Sequence, residues 1–232
     1  MIRLAAASLC ASVLLCGCGE MPAAAAKKKP ATTVAARPAP QLPKVDQSTF
    51  ASVGAAMADV ERVSKLDPAE ANETLLKVET WLNMQGAKIA PELEALIKGD
   101  QVGLRTRLTA CRVITRLGPI SVPTLFVAAD SGEQQLRLKA IECLGRVKPT
   151  SADVVSRLVA LMDNENYEIR KGAFRALSVI GPPAKQHDPQ LVEKLTSTLN
   201  NLKEDETIRS LAHDALKKID PRKGLMGAEK GG

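Results

Sequence analysis

The sequence predicts an all-α stack of helix pairs, and three observations carry that prediction. Four segments share one pattern, centred on Arg107, Arg137, Arg170 and Arg209: an arginine, a small residue three positions on, a large apolar residue seven on and another apolar residue ten on. The pattern returns every 30 to 39 residues, a period at which a single helix pair cannot bury its apolar face alone and must stack on its neighbours. Each segment is preceded by a shorter amphipathic stretch, and no strand pattern is evident. A stack of this kind directs function towards binding.

Residues 1–17 read as a targeting segment. Arg3 supplies the positive charge and Leu4 to Leu15 supply twelve mostly apolar residues, too few to span a bilayer, which needs about 20. Leu15-Cys16-Gly17-Cys18 resembles the bacterial lipobox. That resemblance implies that Cys18 receives a lipid and becomes the mature amino terminus, placing the protein in the bacterial cell envelope, facing the periplasm or the exterior. Gly19 is not the aspartate that marks inner-membrane retention by the same resemblance, which favours the outer membrane. The alternative is an ordinary secretory signal cut after one of Ala23 to Ala26, leaving a soluble secreted repeat protein.

Residues 18–47 comprise Cys18 and a disordered linker rich in Ala, Pro and Lys. Prolines at 22, 30, 38, 40 and 43 forbid a long helix. As flexible coil the linker ends would lie roughly 30 Å apart, and as extended polyproline about 90 Å. The excess positive charge sits largely here. From Asp46 onward there are 26 basic and 25 acidic side chains, so the net charge of +6 falls to +1 for the remainder. Lys27, Lys28 and Lys29 either touch anionic headgroups, at about 1 kcal/mol per charge, or simply solvate the linker.

Residues 48–86 read as an N-terminal helical cap or degenerate repeat, with helices over 49–66 and 69–84. Asp67-Pro68 followed by Glu70 is a capping signature for the second helix, and Val78, Trp81 and Leu82 give it an apolar face. The repeats occupy 87–221. In the third, Ile169, Ala173, Ala176, Leu177 and Ile180 share one helical face, and Gly181-Pro182 stops the helix. The fourth repeats this as Ile208, Ala212, Ala215, Leu216 and Ile219 before Asp220-Pro221. The second reads Leu136, Ala140, Cys143, Leu144 and Val147 before Pro149, and the first Thr106, Ala110, Val113, Ile114 and Leu117 before Gly118-Pro119. The shorter helices carry Leu93, Leu96 and Ile97, then Val122, Leu125 and Ala128, then Val155, Leu158 and Leu161, then Leu191, Leu195 and Leu199. Thr150 and Asp188, the latter with Pro189 at the first helical position, are the expected start signals. Residues 222–232 read as a disordered tail.

The mid-helix alanine, the Ile-Arg or Leu-Arg pair before it and an aspartate seven residues before the arginine (Asp100, Asp130, Asp163) resemble HEAT repeats, of the short HEAT-like type seen in phycobilisome lyases. The resemblance covers residues 88–220. It implies a right-handed α-solenoid of about four helix pairs with an N-terminal cap, acting as a scaffold that binds other macromolecules without catalysis. The alternative within the same resemblance is a lyase-type enzyme. The fourth repeat departs from the pattern, with Leu202 where the aspartate would fall.

No Cys or His pair has metal-ligand spacing and no glycine-rich loop follows a strand, so no cofactor, metal or small-molecule substrate is expected. Five aromatic residues in the chain give a nucleic-acid site little to stack on. Cys111 and Cys143 read as buried small residues rather than a disulfide, and His213 as a packing residue. The repeat arginines Arg107, Arg137, Arg170 and Arg209 are expected to be structural, pairing with the aspartates or holding the turns. The HEAT-like resemblance implies that the second helices line the concave surface, so that residues between their core positions would be presented to a ligand. Arg112, Arg116, Arg146 and Arg175, with Lys217 and Lys218, are the candidate contacts there for an unknown protein partner of acidic character. The competing explanation is that Arg116, Arg146, Lys217 and Lys218 lie in last turns, where a cation complements the helix dipole whatever the function.

Overall fold

The protein is described from a computed structural model covering residues 44–63 and 66–226, with side chains to residue 223. The leader, Cys18, the linker up to residue 43 and residues 227–232 lie outside the described residues, so the targeting and lipidation expectations rest on sequence.

The all-α stack of helix pairs is present. Four pairs follow in chain order: α3 (Ala90–Lys98) with α4 (Leu104–Thr115), α5 (Val122–Ala129) with α6 (Gln134–Leu144), α7 (Ala152–Leu161) with α8 (Tyr167–Ile180), and α10 (Leu191–Asn200) with α11 (Glu206–Ile219). The second helices also pack side by side, α4 on α6, α6 on α8 and α8 on α11. This is the solenoid-like arrangement of a HEAT-like fold. The residues that the pattern assigned to the core are inside: Leu136, Ala140, Leu144, Ala173, Leu177, Ala212 and Ala215 have no exposed surface. The mid-helix alanines permit these close helix contacts because a longer side chain would hold the axes apart.

Ahead of the repeats, α1 (Val53–Arg62) and α2 (Pro68–Gln85) pair with each other and both contact α4. Asp67 caps α2 by accepting from the Ala69 and Glu70 amides at 2.8 and 3.2 Å, with Pro68 at the first position. The first helix is shorter than the 49–66 expected, because Ser52 supplies its cap by accepting from the Ala55 amide. Residues 46–49 instead form a turn around the Asp46 carboxylate, which takes the Ser48 amide at 2.9 Å. The end of the linker is tied to the cap: Trp81 Nε1 donates to the Gln47 carbonyl at 3.1 Å, and its ring meets Phe50 edge to face at 5.5 Å.

Four expectations about boundaries are corrected. The cap of α7 is Ser151, whose hydroxyl accepts from the Val154 amide, and not Thr150. Pro189 precedes rather than opens α10, because the Asp188 carboxylate accepts from the Gln190 amide in a turn and the helix starts at Leu191. Gly181, at φ 72°, does end α8, yet Pro182 then begins a new helix, α9 (Pro182–His187), with its ring at the first position where no amide donor is needed. His187 is the last residue of α9. This inserted helix accounts for the longest repeat period, and it packs between α7 and α10 with Ala184 buried. Finally, residues 221–226, partly assigned to the tail, form α12 against α11. Asp220 lies at its start, paired with Lys185 of α9 at 2.7 Å.

Candidate protein-binding face

Two rows of charge run along the stack, one at the edge where the helices of each pair connect and one on the exposed side of the second helices. At the connecting edge the expected pairing of the pattern aspartates with the repeat arginines does not occur. Asp130 instead meets Arg157 of α7, and Asp163 meets Lys194 of α10 at 2.5 Å. Each aspartate thus reaches forward to the first helix of the following pair, because its place at the end of a first helix faces the next first helix rather than its own second helix. The equivalent position opposite Asp100 is Thr124, which offers no cation.

Two of the four repeat arginines, Arg107 and Arg170, turn to backbone carbonyls. Arg107 Nε donates to the Ile97 carbonyl in the last turn of α3 at 3.0 Å, and Arg170 Nη1 donates to the Asn164 and Glu165 carbonyls at 3.0 and 3.2 Å. Carbonyls at and beyond a helix end have no intrahelical donor, so a half-buried guanidinium placed there satisfies them. Arg170 also lies 3.6 Å from Glu204 and over the Tyr167 ring. Asp205, four residues before Arg209, caps α11 and accepts from the Tyr167 hydroxyl at 3.0 Å. That hydrogen bond, ahead of those from the Ile208 and Thr207 amides, holds its carboxyl below the usual range. Asn166 caps α8 at the same offset from Arg170.

On the exposed side of the second helices the four candidate arginines divide. Arg112 and Arg116 are tied to α2: both reach Glu79, Arg116 at 3.7 Å, and Glu79 is largely covered. Arg146 pairs with Glu142 at 2.8 Å, and Glu142 also takes Lys139 at 2.9 Å. Arg175 is exposed and makes no ion pair or hydrogen bond among the described residues. A continuous stripe of four available arginines is therefore not what the fold presents. Five residues after each repeat arginine the side chains read Arg112, Glu142, Arg175 and Asp214, alternating in sign along the stack.

Two clefts open on this side. One, of about 580 Å³, lies between α6 and α8, with Leu108, Leu138, Gly172 and Val179 on its apolar surface and Lys139, Glu142, Arg146, Glu168 and Arg175 around it. The other, of about 550 Å³, lies between α8 and α11 and is lined by Arg175, Ser178, Val179, Leu211, Asp214, Lys217 and Lys218. Arg175 and Val179, one helical turn apart, belong to both. Val179 escaped the sequence reading because its position, nine after the repeat arginine, holds Arg116, Arg146 and Lys218 in the other repeats. Its signal was the break in that basic row.

Cys111 and Cys143 are free and buried, and burial pushes the Cys111 thiol up to about 12 and raises that of Cys143. His213 is half-buried. Among the described residues no group of three or more His, Cys, Asp or Glu could hold a metal ion, and no helix is long and apolar enough to cross a membrane.

Comparison with known families matches residues 90–178 to HEAT repeats. This stretch is a HEAT-repeat region. It runs from the start of α3 to near the end of α8, and the fourth pair, where Leu202 replaces the pattern aspartate, falls outside it. Among solved structures the chain is similar to an engineered protein, a Northeast Structural Genomics Consortium target, at 18% identity over 74% of this chain and 81% of that one, with a TM-score of 0.44. No curated protein matches.

Proposed function

We propose that this chain is a lipid-anchored scaffold of the bacterial cell envelope whose HEAT repeats bind a protein partner through the exposed side of α6, α8 and α11, without catalysis. The observation that carries the reading is the pair of adjoining clefts that share Arg175 and Val179. An exposed valine beside an arginine with no partner is of no evident use to the fold, whereas both groups suit a contact surface, where arginine and apolar side chains are prominent. HEAT repeats as scaffolds support the same reading, and the Leu15-Cys16-Gly17-Cys18 motif supports the anchor.

The binding face is tested by placing a photo-crosslinking amino acid at Val179, with Ser156 on the exposed side of α7 as the control. A discrete protein adduct from 179 and none from 156 is expected; equal adducts, or none from 179, would remove the face from consideration. The anchor is tested separately. Cys18→Ala should move the protein out of the detergent phase on Triton X-114 partitioning, and unchanged partitioning rejects lipidation.

A further inference from the structure

We infer that the face spanning α6, α8 and α11 takes a linear acidic protein segment bearing one apolar anchor, the anchor seated in the α6–α8 cleft and the carboxylates meeting Arg175, Lys217 and Lys218. This rests on the reading that the face binds protein, and adds what kind of protein surface fits it.

The two clefts differ in charge state, and that difference gives the occupant its polarity. Around the α6–α8 cleft the charges are largely spent on each other: Glu142 takes both Lys139 and Arg146, and Glu168 takes Lys171 at 2.9 Å. What that cleft offers is its apolar surface. The α8–α11 cleft is the reverse, since Arg175, Lys217, Lys218 and Asp214 make no ion pair or hydrogen bond among the described residues, leaving three cations against one carboxylate. The helix dipole accounts for a cation in a last turn but not for Arg175, which lies in α8 five residues before its end.

A folded domain is a poor match for this surface. Standard interfaces bury about 800 Å² on each partner around an apolar centre. Of the six large apolar side chains exposed among the described residues, only Val179 lines either cleft. One anchor position with cations beside it suits a single chain. Packed neighbouring helices lie roughly 8–10 Å apart, a step that extended backbone covers in about three residues. The fitting segment therefore carries a leucine-sized residue and, about three residues further along, a cluster of carboxylates.

The test is fluorescence anisotropy on the full chain with a labelled ten-residue peptide carrying one leucine followed, three residues later, by three glutamates. Saturable binding is expected. It should weaken about tenfold or more for the same peptide with glycine in place of leucine, for the Arg175→Glu/Lys217→Glu/Lys218→Glu chain and for Val179→Asp, and it should weaken with salt because exposed charges are screened beyond about 8 Å. Melting midpoints establish that the variants fold. Should the triple reversal be unstable, Arg175→Ala makes the same comparison. Binding that ignores the leucine, or an equal response to polyphosphate, would overturn the inference in favour of a general anion surface. Absence of binding also overturns it, and a protein adduct from position 179 in that case shows that the broader reading survives with a different kind of partner.

Discussion

Gly145 and Gly172 sit at the same helix interface and should respond to the same substitution with opposite signs. Gly145 follows α6 with ordinary right-handed backbone, φ −63°, so its conformation makes no demand for glycine. Space does. A Cβ there would stand 2.8 Å from both the Cα and the carbonyl oxygen of Ala176 and 2.9 Å from its Cβ. None of these atoms is the free end of a flexible side chain, so α8 would have to shift away from α6. Overpacking of this kind typically costs about 1–3 kcal/mol, offset by about 0.4–1 kcal/mol from the stiffer unfolded chain. Gly145→Ala should therefore destabilise by about 1–2 kcal/mol. Gly172 lies inside α8, and the nearest atoms to its added Cβ are Ile141 Cγ2 at 3.4 Å and Leu138 Cδ2 at 3.8 Å, ordinary contacts. There alanine gains about 0.5–1 kcal/mol of helix stability. With a urea slope of about 1–3 kcal/mol/M, the two variants should bracket the parent chain and differ in midpoint by about 1 M, read by far-UV circular dichroism. Gly145→Ala melting at or above the parent midpoint would show that α6 and α8 do not approach as described.

The other predictions concern the core, acid and the thiols. Leu144→Ala and Leu177→Ala, each removing a side chain with no exposed surface, should cost about 2–5 kcal/mol in urea melts, whereas Arg175→Ala should cost under about 0.5 kcal/mol; equal losses would mean the faces are misassigned. The Asp205 and Asp220 carboxyls are held below their usual range, chiefly by the Tyr167 hydroxyl and by Lys185. A depressed folded value gives stability that is complete above the unfolded value, about 3.9, and is lost as pH falls through the lower folded one. Melting midpoints should thus fall on acidification below about pH 4, and fall less in the Asp205→Asn/Asp220→Asn chain; parallel curves would remove these carboxylates from the acid response. Buried thiols with raised pKa values should resist alkylation at neutral pH, so peptides containing Cys111 and Cys143 should be modified only after denaturation, as mass spectrometry would show.

The repeat core was legible because it depends on positions within one helix. Ala110, Ala140, Ala173 and Ala212 recur at a fixed offset and all are buried, and periodicity alone reports that. The X-Pro steps at Gly118-Pro119, Lys148-Pro149, Gly181-Pro182 and Asp220-Pro221 recur at one offset and each follows the end of a second helix, directly after α8 and α11 and a few residues beyond α4 and α6. What escaped depends on contacts between repeats. A constant seven-residue spacing suggested that Asp130 pairs with Arg137, yet it pairs with Arg157, twenty-seven residues on. Spacing cannot distinguish a partner within the repeat from one in the next. Helix α9 was hidden because Pro182-Pro183 reads as a stop, and a proline serves as well to begin a helix as to end one. The division of the candidate arginines was also beyond reach, since Glu79 lies in α2, outside the repeat pattern that drew attention to Arg112 and Arg116.

That division decides between the two explanations of the basic side chains on the second helices. The dipole explanation covers cations at helix ends: Arg116 caps α4, Arg146 follows α6, and Lys217 and Lys218 close α11. It covers Arg112 as well, in the last turn of α4, and leaves Arg175, five residues past its repeat arginine and outside the last turn of α8. Arg112 also has Glu79 to hold it, a carboxylate that is largely covered. Arg175 has neither a helix end nor a carboxylate partner, and Gly172 one turn before it leaves the cleft beside it open. Among the described residues it is the cation on this face for which the fold supplies no employment. Its reversal to Glu therefore separates the explanations most cleanly: stability should stay near that of the parent, because no contact is lost, while partner capture at Val179 should fall. A large loss of stability with capture retained would return Arg175 to the fold and leave the face without its central contact.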